Sequence, residues 1–146
     1  MTEKYTFTYD ESPNPDDVQV IRDGLTAFNL KFVPDAQYKK LNIFLRDEGG
    51  RVVGGLIGNT YWGWLYVSLL WLAEPQRGCG LGQKMLLKAE EEALRRGCRR
   101  AHLDTLDFQA LAFYEAQGYS VFGRLDDLPY GHSRYFLQKT LLEADA

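Results

Sequence analysis

Three glycines within five positions, Gly78, Gly80 and Gly82, mark the stretch whose residue types could do chemistry. Arg77 stands directly before them, and a run with helical periodicity follows. Glycine lets the backbone approach a ligand closely, and the first turn of a helix offers unpaired N–H groups and a positive dipole end. The stretch therefore predicts an anion-binding site, and phosphate is the expected ligand.

Two well-known phosphate loops do not fit this stretch. A Walker loop starting at Gly78 requires a second glycine where Gln83 stands, and Ser or Thr where Met85 stands. The dinucleotide fingerprint Gly-x-Gly-x-x-Gly also needs its third glycine at Gln83. The stretch therefore matches neither the Walker loop nor the dinucleotide-binding fingerprint. A glycine-rich turn before a purely structural helix is the simpler alternative.

A second pattern lies downstream in residues 107–119, "DFQALAFYEAQGY". Together with Arg77-x-x-Gly80-x-Gly82 it resembles the GNAT acetyltransferase superfamily. That family has a loop Arg/Gln-x-x-Gly-x-Gly/Ala and an element Asn-x-x-Ala-x-x-x-Tyr-Glu-x-x-Gly-Phe. Asp107 stands where Asn is common, and Tyr119 where Phe is common. The order of the predicted strands and helices matches the family over nearly the whole chain.

The resemblance implies that the loop holds acetyl-CoA through backbone amides, with the coenzyme sliding into a splayed sheet. It implies these cofactor-binding residues: Leu72, Ala73, Arg77, Gly78, Cys79, Gly80, Leu81, Gly82, Gln83 and Asp107. The backbone amide of Leu72 or Ala73 is expected to face the acetyl carbonyl. Arg77 is expected either to contact phosphate or to lie along the surface. The Cys79 thiol is expected to point away from the coenzyme, and Asp107 to cap the following helix.

Two residues are predicted to be catalytic. Tyr114 matches the family tyrosine that protonates or hydrogen-bonds the leaving sulfur, and a phenol with a pKa of about 10 suits an alkyl thiol. Without the resemblance, Tyr114 would be interpreted as a core aromatic. Glu74 follows the central strand and is a candidate base for the acceptor amine. A water chain to the backbone is the alternative to Glu74.

The elements that must position these residues alternate along one predicted domain, residues 1–146. Apolar periodicity predicts helices after the N-cap Asn14, from Leu81 to a stop at Gly97, and over 107–118. It predicts strands over 4–9, 41–47, 51–62, 63–74, 99–106, 119–125 and 133–141. This order predicts an α/β fold with a mixed sheet. The resemblance implies a GNAT-like, mostly antiparallel sheet of six or seven strands, flanked by helices and splayed at the cofactor site.

Composition excludes several other classes of protein. The net charge of −3 disfavours a nucleic-acid binder. The sequence has no long apolar run for a membrane span, and its start lacks a signal-peptide pattern, so a cytoplasmic protein is expected. The two cysteines are expected to be reduced, and no spacing links His102 and His132 into a metal site.

The predicted reaction is acetyl transfer from acetyl-CoA to a primary amine of a small molecule or peptide, by direct attack in a ternary complex. The alternative is a catalytically weak acyl-CoA-binding or sensor module. The aromatics Tyr61, Trp62, Trp64 and Tyr66 either pack in the core and at an interface, or line a pocket for a cationic amine with Asp126 and Asp127. A homodimer is compatible with these aromatics.

Overall fold

The computed structural model describes residues 4–143 and divides them into two compact units, 4–35 and 36–143. The smaller unit contains helix α1 (Pro15–Asn29). As predicted, Asn14 caps it, because its side chain accepts a hydrogen bond from the Asp16 amide at 2.9 Å. Within the described residues no helix has the length and apolar character needed to cross a membrane.

The predicted strand over residues 4–9 is wrong. Residues 5–10 have no regular secondary structure, and Tyr5, Phe7 and Tyr9 are exposed. Alternation makes a segment compatible with a strand, but a strand also needs a partner for its backbone groups, which the alternation itself does not supply. The apolar stripe predicted for α1 does form on a helix, yet none of the residues of α1 is buried.

The larger unit contains a sheet of six strands and two further α-helices. The strands are β1 (Lys39–Arg46), β2 (Val52–Tyr61), β3 (Trp64–Leu72), β4 (Arg100–Leu106), β5 (Ser120–Asp126) and β6 (Ser133–Thr140). They lie in the order β1-β2-β3-β4-β6-β5. Every neighbouring pair is antiparallel except β3 and β4, which are parallel. The predicted mixed, mostly antiparallel sheet is therefore confirmed.

The core lies between one face of the sheet and helix α2 (Leu81–Arg95). Met85, Leu86, Ala89 and Ala93 of α2 are buried, as the helical stripe predicts, while Leu81 is half-buried. They pack with the fully buried leucines of the sheet, which are Leu56, Leu65, Leu103 and Leu137. Each such leucine contributes about 1.5–3 kcal/mol by leaving water, so this layer fixes α2 and the loop before it on the sheet.

The sheet opens between β3 and β4, as expected for a splayed sheet. The two strands pair only from Trp64↔Arg100 to Val67↔Leu103, although β3 continues to Leu72 and β4 to Leu106. A register shift against β2 makes Ser68 an extra residue on β3 at this point. Because such a bulge bends and twists its strand, it turns the end of β3 away from β4.

Helix α3 (Leu111–Ala116) is shorter than predicted and begins after an Ala110 cap, so the expected helix start at Asp107 is wrong. After α3, a hydrogen bond of the side-chain hydroxyl explains why position 119 holds tyrosine. The buried Tyr119 hydroxyl donates a 2.7 Å hydrogen bond to Glu90, which is itself buried. Lys139 donates to the other oxygen of Glu90 at 2.9 Å. This network supplies the partners that a buried carboxylate requires.

Candidate active site

The gap between β3 and β4 holds a cavity of about 740 Å³. Its walls come from both strands, from the first turn of α2 and from the segment that leads into α3. The lining residues include Ser68, Leu70, Leu72, Arg77, Gly82, Asp104, Phe108, Gln109, Phe113 and Tyr114. Four predicted site residues, Leu72, Arg77, Gly82 and Tyr114, are therefore brought together around one space.

The three glycines of the loop have different physical roles. Gly78 and Gly80 have φ values of +80° and +82°, a left-handed conformation that other residues adopt at a cost. Gly80 is the N-cap of α2, so Leu81, Gly82 and Gln83 begin the helix with N–H groups that have no helical partner. Gly82 instead lets the backbone of α2 pack closely, since a Cβ added there would lie 3.6 Å from Leu72 and from the Phe113 ring.

Arg77 and Cys79 are both tied to the backbone near the loop. The Arg77 Nε donates to the Leu72 carbonyl at 2.9 Å while the residue lines the cavity. The Cys79 thiol is exposed and donates to the Gln76 carbonyl at 3.2 Å. The thiol is thus engaged outside the cavity lining, and the guanidinium places a positive charge at the cavity.

The two backbone amides that were expected to face an acetyl carbonyl, those of Leu72 and Ala73, point in opposite directions. The Ala73 amide donates to the Val53 carbonyl at 2.8 Å, so it is engaged with the neighbouring strand. In an antiparallel ladder the adjacent residue directs its N–H and C=O the other way. Leu72 therefore directs its amide towards the gap, and its carbonyl, which is bonded to Arg77, lies on that same side.

Tyr114 reaches the cavity from α3 and is 5% exposed. Its ring packs edge-on against Phe113 and Tyr119, at 5.2 Å and 5.9 Å between centroids. Burial, with a further contribution from the charge of Asp104, raises the pKa of Tyr114 to about 12. The expected match between a phenol of ordinary pKa and an alkyl thiol is therefore wrong, because this phenol is a weaker acid.

Glu74 and Asp107 do not line this cavity. Glu74 begins a short 3-10 helix (Glu74–Gln76) and is exposed. The Asp107 carboxylate accepts from the Ser133 amide and contacts His132 Nδ1, both at 2.9 Å. These bonds, led by the one from Ser133, lower the pKa of Asp107. Asp107 thus joins the segment before α3 to the start of β6 instead of capping a helix.

Asp104 is a cavity residue that the sequence reasoning missed. Its carboxylate is 24% exposed, accepts from the Tyr66 hydroxyl at 3.4 Å and lies 3.6 Å from the Arg134 Nε. Burial and the charge of Asp104 raise the pKa of Tyr66. The available signal was an aspartate inside a predicted strand, where this residue type is depleted.

The predicted aromatic cluster lies on the sheet face opposite the core. The ring of His102 is stacked on Tyr66 at 4.8 Å, lies edge-on to Trp64 at 5.6 Å, and bonds the Tyr61 hydroxyl at 3.0 Å. Burial lowers the pKa of His102, and the charge of Asp104 partly opposes that shift. This face is therefore mainly aromatic around His102, the Arg100 guanidinium lies 5.8 Å from the Trp64 ring centroid, and the Asp104 carboxylate lies at the end nearest the gap.

Asp126 and Asp127, which one of the two alternatives assigned to the amine, are occupied by local contacts. The Asp126 carboxylate accepts from Arg124 at 2.7 Å and from the Ser133 hydroxyl at 2.9 Å, and Arg124 lowers its pKa. The Asp127 carboxylate accepts from the Gly131 amide at 3.1 Å. Neither residue lines the cavity. Across residues 4–143, no group of three or more potential ligand residues could hold a metal ion.

Comparisons with known proteins agree with this geometry. Residues 6–119 match the acetyltransferase (GNAT) family. An acetyltransferase from Agrobacterium fabrum is 44% identical over 121 residues, which cover 83% of this chain and 88% of that protein. The blasticidin-S acetyltransferase of Streptomyces morookaense is 40% identical over 116 residues, covering 77% and 85%. The crystal structure of an Agrobacterium tumefaciens protein described as an acetyltransferase has a TM-score of 0.86 at 40% identity, covering 93% and 99%.

Proposed function

Because this chain belongs to the GNAT acetyltransferase family, whose members use acetyl-CoA, we propose that it acetylates a primary amine by direct attack in a ternary complex. The observation that carries the proposal is the cavity between β3 and β4. It joins a positively charged end, at Arg77 and the first turn of α2, to a buried tyrosine hydroxyl. Those are the features that a coenzyme phosphate and a leaving thiolate need.

The loop and the start of α2 would hold the coenzyme. Gly78 and Gly80 bend the chain so that the amides of residues 78–80 lie before the helix and those of residues 81–83 lie in its first turn, where anions are stabilised. Arg77 adds a positive charge, and the absent side chain of Gly82 leaves room at the cavity wall. We propose that the Cys79 amide takes part and its thiol does not, since that thiol is bonded to the Gln76 carbonyl.

In the proposed reaction the amine nitrogen forms a bond to the acetyl carbon while the carbon–sulfur bond breaks. The coenzyme leaves as the thiolate or thiol, and the nitrogen loses its extra proton to water. The Leu72 amide is placed to donate to the carbonyl oxygen as negative charge grows on it. Tyr114 donates a hydrogen bond to the departing sulfur. Glu74 remains a candidate base only if it acts through water, because it does not line the cavity.

We further propose that both compact units belong to one acetyltransferase domain. The family match extends over residues 6–119 and so continues across the boundary between residues 35 and 36. As acceptor we propose a small-molecule amine in preference to a peptide. The support is the relative from Streptomyces morookaense, whose name gives blasticidin S as its substrate.

A thiol-release assay with acetyl-CoA tests this proposal. The amines would be blasticidin S, tyramine, putrescine and a short peptide with a free N-terminus, and mass spectrometry would identify the acetylated product. At least one small amine is expected to be acetylated faster than the peptide. If acetyl-CoA binds but no amine is turned over, the alternative of an acyl-CoA-binding module would be favoured.

A further inference from the structure

The cavity has opposite charges on two different strands. Among the described residues that line it, Asp104 is the one acid and Arg77 the one base. The proposed reaction brings together an anionic donor and an acceptor that is a cation near neutral pH, since a lysine-like amine has a pKa of about 10.4. A cavity that binds both ligands needs a positive residue for the donor and a negative residue for the acceptor, and Arg77 and Asp104 supply these charges.

The two charges lie at different depths of the gap. Asp104 follows Leu103, which makes the last pair with Val67 of β3. Arg77 is bonded to the carbonyl of Leu72, four residues beyond the bulged Ser68. At about 3.3 Å per residue, the levels of Asp104 and Leu72 are separated by roughly 13 Å along β3. A ligand bound at Arg77 therefore leaves the Asp104 end of the cavity for a second one.

The Asp104 carboxylate has acceptor capacity that its neighbours do not use. An ionised carboxylate offers about four lone-pair sites. Among the described residues, Asp104 has a single long hydrogen bond, 3.4 Å from Tyr66, and an Arg134 contact of 3.6 Å that exceeds hydrogen-bond length. By contrast, Asp126 has partners at 2.7 Å and 2.9 Å. An incoming ammonium could therefore bond Asp104 without displacing a strong partner.

We propose that Asp104 is the residue that binds the ammonium group of the acceptor, and that the enzyme selects cationic amines through it. This inference rests on the proposed function. The acceptor would thus be recognised by a charge on β4, in place of Asp126 and Asp127.

In this proposal Asp104 binds the acceptor and does not take up its proton. The carboxylate raises the local concentration of the cationic acceptor in the cavity. The ammonium first loses one proton to water, the neutral amine then attacks, and the nitrogen loses its second proton to water as the amide forms.

The test compares Asp104→Asn with wild type and with Glu48→Gln, a carboxylate-to-amide control at an exposed turn position. Steady-state kinetics would use the fastest amine of the screen described above. Loss of a charge-assisted bond predicts a rise of about 10- to 100-fold in the KM for the amine in Asp104→Asn. The KM for acetyl-CoA should be unchanged, and Asp104→Glu should recover part of the amine affinity.

The outcomes separate this inference from the proposed function. A thermal shift with acetyl-CoA shows that each variant is folded and binds the coenzyme. If wild type turns over an amine and Asp104→Asn has the same amine KM, the inference is overturned and the proposed function stands. If wild type turns over no amine, both are overturned. An equal rise in the amine KM in Glu48→Gln would also overturn the inference, since the effect would not be specific to the cavity.

Discussion

Replacing Tyr114 by Phe separates proton transfer from hydrogen bonding at the leaving sulfur. Burial raises the pKa of this phenol to about 12, whereas an alkyl thiol has a pKa of about 8.5. Transfer of the proton to a free thiolate is then uphill by roughly 5 kcal/mol. A hydrogen bond to the developing negative charge is worth about 1.5–3 kcal/mol. Tyr114→Phe should therefore lower kcat by about 10- to 150-fold.

The assay is thiol release at saturating acetyl-CoA and amine, followed across neutral and alkaline pH. Since a phenol of pKa about 12 stays protonated, the ratio of wild-type to variant kcat should be constant up to about pH 10. The acetyl-CoA affinity should persist, because phenylalanine keeps the ring that packs against Phe113 and Tyr119. A ratio that falls towards pH 10, or a loss above about a thousandfold, would refute the hydrogen-bonding role. An unchanged kcat would remove Tyr114 from the mechanism.

Three further predictions follow from the cavity and the packing. Gly82→Ala should keep acetyl-CoA binding, because the added Cβ makes ordinary contacts at 3.6 Å, whereas Gly82→Glu should abolish it in a calorimetric titration; equal affinities would mean that the loop holds no anion. Tyr119→Phe should lower stability by about 2 kcal/mol by removing a donor from the buried Glu90, and an unchanged urea midpoint would contradict this. Asp107→Asn should lower Tm near neutral pH. Because the pKa of Asp107 is depressed in the folded state, its carboxylate stabilises the fold above the unfolded-state pKa of about 3.9, and this stabilisation is lost as pH falls through the lower folded-state pKa. The Tm difference between wild type and variant should therefore narrow below about pH 4. A Tm difference that stays constant with pH would contradict this linkage.

Periodicity predicted the elements of the core, whose pattern is enforced by burial, and it also predicted α1, none of whose residues is buried. The stripe of α2 and the alternation of β4 both place apolar side chains in one core, so pattern and structure agree. The segment 4–9 has a similar alternation without burial, and the predicted strand does not form. The start of α3 was misplaced because the Asp107 carboxylate bonds Ser133, a partner 26 positions away that local capping rules do not consider.

The candidate site was only partly predictable for a related reason. The glycine loop and Tyr114 lie in contiguous motifs, so their spacing in the sequence identified them. Asp104 has no motif. Its position depends on where the β3–β4 pairing ends and on the side from which Tyr66 approaches. Likewise, the availability of Leu72 in preference to Ala73 depends on ladder register, which becomes known only once β2 and β3 are paired.

The most direct test of the central claim is a thermal-shift titration of the wild-type protein with acetyl-CoA, with ATP and NAD as controls. Ligand at about 100 times Kd adds roughly 2.7 kcal/mol of stability, a rise in Tm of about 5 to 10 °C for a domain of this size. We predict this rise with acetyl-CoA alone. No rise with acetyl-CoA, or a larger one with ATP, would contradict the account of the cavity between β3 and β4.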